Sequence, residues 1–181
     1  STRNWSSDVC SSDLDVAFSE QGYDAAPFDG GKPGIILSNE SGKYTFKYIT
    51  NDVWFSHGIC SGDFDKNGTL DIFITGTVNG PTQYPCFFMN DGKGNFTKTP
   101  SVCNFSIWGQ HTCEFYDLNH DGSLDLIVGG HQFKSDPHNQ PLRIYWGNGS
   151  NYDTLRKTDL PYLSGWDINL DLNFKIGRAH V

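Results

Sequence analysis

Asp117-Leu-Asn-His-Asp-Gly-Ser-Leu-Asp125, running straight into Leu126-Ile127-Val128 and the pair Gly129-Gly130, is the stretch from which the rest of the chain can be read. Oxygen-bearing side chains stand at its first, third, fifth and ninth places, Asp117, Asn119, Asp121 and Asp125. They converge only if the backbone coils tightly around one point, and Gly122 at the sixth place permits that turn because it takes positive φ without a Cβ clash. Hard oxygen ligands of this kind suit calcium, with a backbone carbonyl near Ser123 and water completing the set. The expectation is a metal loop that feeds a strand.

A second copy lies upstream. Asp63-Phe-Asp-Lys-Asn-Gly-Thr-Leu-Asp71 repeats the pattern with Asp63, Asp65, Asn67 and Asp71, again has glycine (Gly68) in sixth place, and again precedes an apolar run, Ile72-Phe73-Ile74. Repetition with the same downstream run argues against a chance Asp- and Asn-rich turn. An EF-hand or dockerin loop shares the first half of the pattern but needs a bidentate carboxylate at position twelve and flanking helices. Here that position falls on Ile74 and Val128, neither of which binds a metal. The residues after the ninth place are β-branched or aromatic, which favours a strand.

Both ends of the chain read as non-native. Asp8-Val-Cys-Ser-Ser-Asp-Leu14 and Ile176-Gly-Arg-Ala-His-Val181 can be encoded by the two strands of one short adapter-like oligonucleotide. Residues 1–14 and 176–181 are therefore set aside, as tags and scars are, and the domain is expected to span 15–175. With a net charge of −8, that span lacks the basic face a nucleic-acid partner requires. It has no apolar run of bilayer-spanning length. Of the cysteines outside the set-aside ends, no two have zinc-knuckle spacing. Cys86 and Cys103 flank an expected hairpin turn at Asn90-Asp-Gly-Lys-Gly94, so a disulfide between them is geometrically open; Cys60 and Cys113 stand at nearly equivalent repeat places, where buried thiols and a bridge are both open. Calcium loops and a disulfide together fit an extracellular setting. The sequons at Asn39, Asn95, Asn104 and Asn148 are compatible with that setting.

The loops belong to a longer repeat. From Asp63 to Asp117 is a step of 54 residues, from Asp71 to Asp125 the same step, and His57 aligns with His111 ahead of the loops. Asp15-Val-Ala-Phe18 aligns with Asp71-Ile-Phe-Ile74, so the first unit enters at its second strand. A degenerate copy begins at Asp167, with Asn169 and Asp171 but with Leu172 where glycine should be. Each unit is expected to hold four short strands. The first precedes the metal loop (57–62, 111–116) and the second follows it (70–75, 124–128). The third covers 85–89, 35–38 and 142–146, and the fourth starts at Phe96, Tyr44 and Tyr152. Recurring four-stranded units of this length predict an all-β fold, a partial β-propeller of about three antiparallel blades with calcium loops between strands one and two.

With these residues in view, Gly62-Asp-Phe-Asp-Lys-Asn-Gly-Thr-Leu-Asp71, Tyr116-Asp-Leu-Asn-His-Asp-Gly-Ser-Leu-Asp125 and the trailing Asn90-Asp-Gly-Lys-Gly-Asn-Phe96 resemble FG-GAP or VCBS-type repeats, as in integrin alpha-subunit propellers. The resemblance implies a propeller, Ca2+ on the first, third, fifth and ninth side chains, and a role in adhesion or in binding a protein or glycan, in a secreted or cell-surface protein. No nucleophile with a base and no carboxylate pair outside the loops points to catalysis, so the chain is not expected to be an enzyme; the alternative is a non-catalytic propeller of a larger extracellular enzyme. His57 and His111 suit a structural role in each unit, and Trp54, Trp108, Trp146 and Trp166 suit packing. The connections between second and third strands, 20–32, 76–84 and 130–140, lie at the end away from the calcium loops. Their Tyr23, Phe28, Tyr84, His131 and Phe133 are the candidate ligand-binding face.

Overall fold

The computed structural model describes residues 16–20, 22, 25, 29–38, 41–76, 86–103, 110–130 and 141–161. Three antiparallel sheets follow one another along the chain. The first holds β1 (Val16–Phe18), β2 (Gly34–Ser38) and β3 (Tyr44–Tyr48). The second holds β4 (Ile59–Gly62), β5 (Asp71–Ile74), β6 (Cys86–Asn90) and β7 (Phe96–Lys98). The third holds β8 (Gln110–Tyr116), β9 (Asp125–Gly130), β10 (Arg143–Tyr145) and β11 (Lys157–Asp159). Within every sheet the strands lie side by side in chain order, the arrangement that short hairpin connections produce. Among the described residues there is no α-helix, only one 3-10 turn at Pro100–Val102, and no helix long and apolar enough to cross a membrane.

The second sheet is apolar on both faces, and strand alternation explains how. Successive side chains of a strand point to opposite faces. Ile72 and Ile74 of β5, with Cys86 and Phe88 of β6, join Ile35, Ile49 and Trp54 in a cluster shared with the first sheet. Phe73 and Phe87 point the other way, into a cluster with Cys113, Leu126, Val128 and Tyr145 of the third sheet. All four residues of β5 are buried. Each fully buried large side chain contributes roughly 2 kcal/mol through removal from water, so β5 and β6 tie all three sheets together.

The second and third sheets approach each other through β4 and β8, and glycine makes the approach close. A Cβ on Gly58 would stand 2.9 Å from the carbonyl oxygen of His111 and 3.0 Å from Cα of Thr112; one on Gly62 would stand 2.7 Å from Leu124 Cδ1. Strand β8 bulges here: Gln110 pairs with Gly130 and Thr112 with Gly129, which leaves His111 as the extra residue. Its ring lies against that of His57, with centroids 4.4 Å apart and planes 22° from parallel.

Two expectations are corrected. The fourth strand of the third unit begins at Lys157 and not at Tyr152. Tyr152 instead bridges to Cys103, and a turn follows in which the N–H of Leu155 donates to Asp153 Oδ1 at 2.8 Å. Cys86 and Cys103 form no disulfide: Cys86 shares the face of Phe88 in one cluster while Cys103 belongs to the other, so the second sheet stands between them.

Candidate metal centres

Each loop occupies the same corner of its sheet. Residues 63–71 join β4 to β5 and residues 117–125 join β8 to β9. Their backbones match place for place. The fourth residue has positive φ in both (Lys66 61°, His120 59°), as has the sixth (Gly68 90°, Gly122 84°). A Cβ on Gly68 would meet nothing within 4 Å; glycine is there for its φ and not for space. The positive φ at the fourth place was not visible in the sequence, because lysine and histidine carry no strong preference for the left-handed region.

Inside the coil the side chains accept the loop's own N–H groups. The N–H of Gly68 donates to Asp63 Oδ2 at 3.1 Å, and that of Gly122 to Asp117 Oδ2 at 2.9 Å. Asp65 Oδ1 accepts from Asn67 at 3.1 Å, and Asn119 Oδ1 from Asp121 at 2.9 Å. Asp121 Oδ1 accepts from Ser123 at 2.8 Å. The Ser123 N–H, and after it the Asn119 amide that donates to Asp121 Oδ2 at 2.9 Å, hold the Asp121 carboxyl below the ordinary range.

The ninth residue is different in kind. Asp71 and Asp125 are wholly buried, and each opens its strand, opposite Gly62 and Tyr116 respectively. Asp71 accepts from Phe64 at 3.1 Å and from Asn90 at 2.9 Å. Asp125 accepts from Leu118 at 2.9 Å and from Gly147 at 2.9 Å. Burial raises both pKa values, and the neighbouring carboxylates (Asp65 and Asp63 for one, Asp121 and Asp117 for the other) push the same way, against the backbone N–H bonds. Each ninth carboxylate is thus a brace between its own loop and the turn after the third strand, a link sequence spacing did not reveal.

The residues fit a hard cation on two counts. The donor set is carboxylate and amide oxygen in both loops, and in the first loop buried Asp63 Oδ1 has no hydrogen-bond partner. A water-excluded acceptor without a donor is costly, and a bound cation would satisfy it. The cage is not preformed, however: among the described residues no three His, Cys, Asp or Glu side chains are grouped so as to hold a metal ion. The oxygens are turned to N–H groups instead, and a cation would have to share or displace those bonds. The loops also lie near each other, for Lys66 Nζ is 3.7 Å from where a Cβ on Gly122 would stand.

His57 and His111 stack against each other, with Phe55 edge-on to His57 at 5.3 Å, and belong to neither loop. Trp54 is buried against Phe88, its ring covered by Lys98 Nζ at 4.7 Å, and Trp146 Nε1 donates to Thr158 Oγ1 at 2.9 Å. The candidate ligand-binding residues Tyr23, Phe28, Tyr84, His131 and Phe133, the degenerate site at Asp167, Asn169 and Asp171, and Trp108 and Trp166 lie outside the described residues. No protein-family model matches the chain, and no curated protein matches it.

Proposed function

We propose that the chain is a calcium-binding β-propeller module of FG-GAP or VCBS type, non-catalytic, in a secreted or cell-surface protein that binds a protein or glycan partner. The observation that carries this reading is the pair of loops: the same positive-φ places and the same doubly anchored ninth carboxylate recur at the same corner of two consecutive sheets. In the first loop Asp63, Asp65, Asn67 and Asp71 would hold the ion, in the second Asp117, Asn119, Asp121 and Asp125. Calcium would supply positive charge that offsets the mutual repulsion of the loop carboxylates. Its part is structural, a brace for one end of the second and third sheets. Partner binding is assigned to the connections 20–32, 76–84 and 130–140.

Isothermal titration tests the reading. Calcium should bind with measurable heat, and Asp65→Ala and Asp121→Ala should each remove one phase; absence of heat in the unaltered, folded chain would refute it. Replacing the three connections with short Gly-Ser turns should abolish partner binding and leave the calcium heats intact.

A further inference from the structure

Cys60 and Cys113 sit on β4 and β8, the strands through which the second and third sheets meet, and both are free thiols in the structure, buried in the same apolar cluster and not on opposite sides of a sheet as Cys86 and Cys103 are. Three observations bring their sulfurs together. The Cys113 side chain is close enough to Cys60 to raise the pKa of its thiol. Cys113 Sγ lies 4.0 Å from the carbonyl oxygen of Phe73, and Phe73 is the residue directly across the ladder from Cys60. The approach is also tight on either side of Cys60, because Gly58 lies against His111 and Thr112 while Gly62 lies against Phe115 and Leu124. The two backbones therefore run together past the cysteine pair.

We propose that Cys60 and Cys113 are a covalent cross-link site, oxidised to a disulfide between the first strands of adjacent sheets when the chain folds in the presence of a low-molecular-weight disulfide. The chemistry balances with that oxidant. One cysteine, as thiolate, attacks a sulfur of oxidised glutathione and releases one glutathione thiolate. The second cysteine then attacks the mixed disulfide and releases another, and the two protons lost by the cysteines are taken up by the released thiolates. Two protein thiols are oxidised and one small disulfide is reduced.

Burial dictates when this occurs. In the folded chain Cys60 is pushed well above its ordinary pKa, chiefly by burial and further by Cys113, so little thiolate is present to react. The bond forms while the sheets are docking, and then lies beyond the reach of solvent reductants. It closes the chain from 60 to 113 and fastens the two sheets along their closest line. The inference rests on the packing of β4 against β8 and not on the calcium reading.

The full chain is unfolded with reductant, refolded in mixed reduced and oxidised glutathione, alkylated, digested and mapped by mass spectrometry. The expected product joins the Cys60 and Cys113 peptides at about 2 Da below their summed thiol masses. It should melt roughly 5–10 °C above the chain refolded in dithiothreitol. Recovery of both cysteines as alkylated thiols from the oxidatively refolded chain would overturn the proposal, as would a dominant link from either to Cys103 or Cys10. The double variant Cys60→Ala/Cys113→Ala should lose the redox-dependent melting shift, and Cys86→Ala should keep it; a shift that survives in the double variant would also overturn it. If the double variant does not fold, the peptide map of the unaltered chain decides.

Discussion

Asp71 accepts the backbone N–H of Asn90 at 2.9 Å, so the residue that ends the loop between β4 and β5 also fixes the turn after β6. Its other oxygen holds the N–H of Phe64. Asp71→Ala leaves both N–H groups without their acceptor and should cost about 3 kcal/mol. Asp71→Asn keeps one acceptor and should cost about half as much. Denaturant unfolding in excess chelator, where calcium contributes nothing, measures both.

Acid should act on the metal-free chain in two stages. The raised carboxyls of Asp71 and Asp125 bind protons more tightly folded than unfolded, so their unfavourable contribution is relieved as pH falls through their folded values toward the ordinary one. Asp91, Asp121 and Asp159 are lowered; their stabilisation is present above the ordinary value and is lost as pH falls through their folded values. For these five groups stability is greatest near the ordinary carboxylate pKa, at about pH 4. Adding calcium should reverse the first stage, because protons compete for the same oxygens. Denaturant midpoints from pH 7 to pH 3, with and without calcium, provide the comparison.

The two loops should differ in affinity although each offers three carboxylates. Lys66 Nζ stands beside Gly122, and the positive charge of Arg156 acts on Asp121, so the second loop is already partly compensated. The first loop retains the unpartnered oxygen of Asp63. Calcium should fill the first loop at lower concentration, and Lys66→Ala should tighten the second by roughly two- to fivefold. Unchanged second-site affinity in that variant would remove Lys66 from the account.

Gly58 and Gly62 should respond unequally to alanine. At Gly58 the new Cβ meets backbone atoms of His111 and Thr112, which cannot turn aside; at Gly62 its nearest neighbour is the end of the Leu124 side chain. Gly58→Ala should cost about 2–3 kcal/mol and Gly62→Ala about 1 kcal/mol. Equal losses in denaturant unfolding would mean that Leu124 has no room to rotate.

The first sheet leaves an aromatic face open to water. Tyr44, Phe46 and Tyr48 are 71%, 51% and 46% exposed, with Phe46 stacked on Phe18 at 5.7 Å. An apolar patch of this kind drives association. The chain should self-associate reversibly, and Phe46→Lys should shift sedimentation toward monomer.

The sequence disclosed the parts of this fold that obey simple periodicities. Ile72-Phe73-Ile74 and Leu126-Ile127-Val128 read as strands and are strands, with every residue buried. Glycine in the sixth place announced the coil of each loop, and both glycines have the positive φ required. What escaped was set by tertiary pairing. Tyr152 stood at the spacing expected of a strand, but Asp153 closes a turn just after it. The bulge that displaces His111 involves one residue and leaves no trace in composition. The reach of Asp71 to Asn90 and of Asp125 to Gly147 depends on hairpin register, which spacing alone does not supply.

Gly58 and Gly62 let β4 lie directly against β8, while Phe87, Tyr145 and Tyr152 fill the cluster between the same two sheets. The size of the side chains at positions 58 and 62 therefore gauges how near the second and third sheets can come, and any enlargement there has to move one sheet relative to the other.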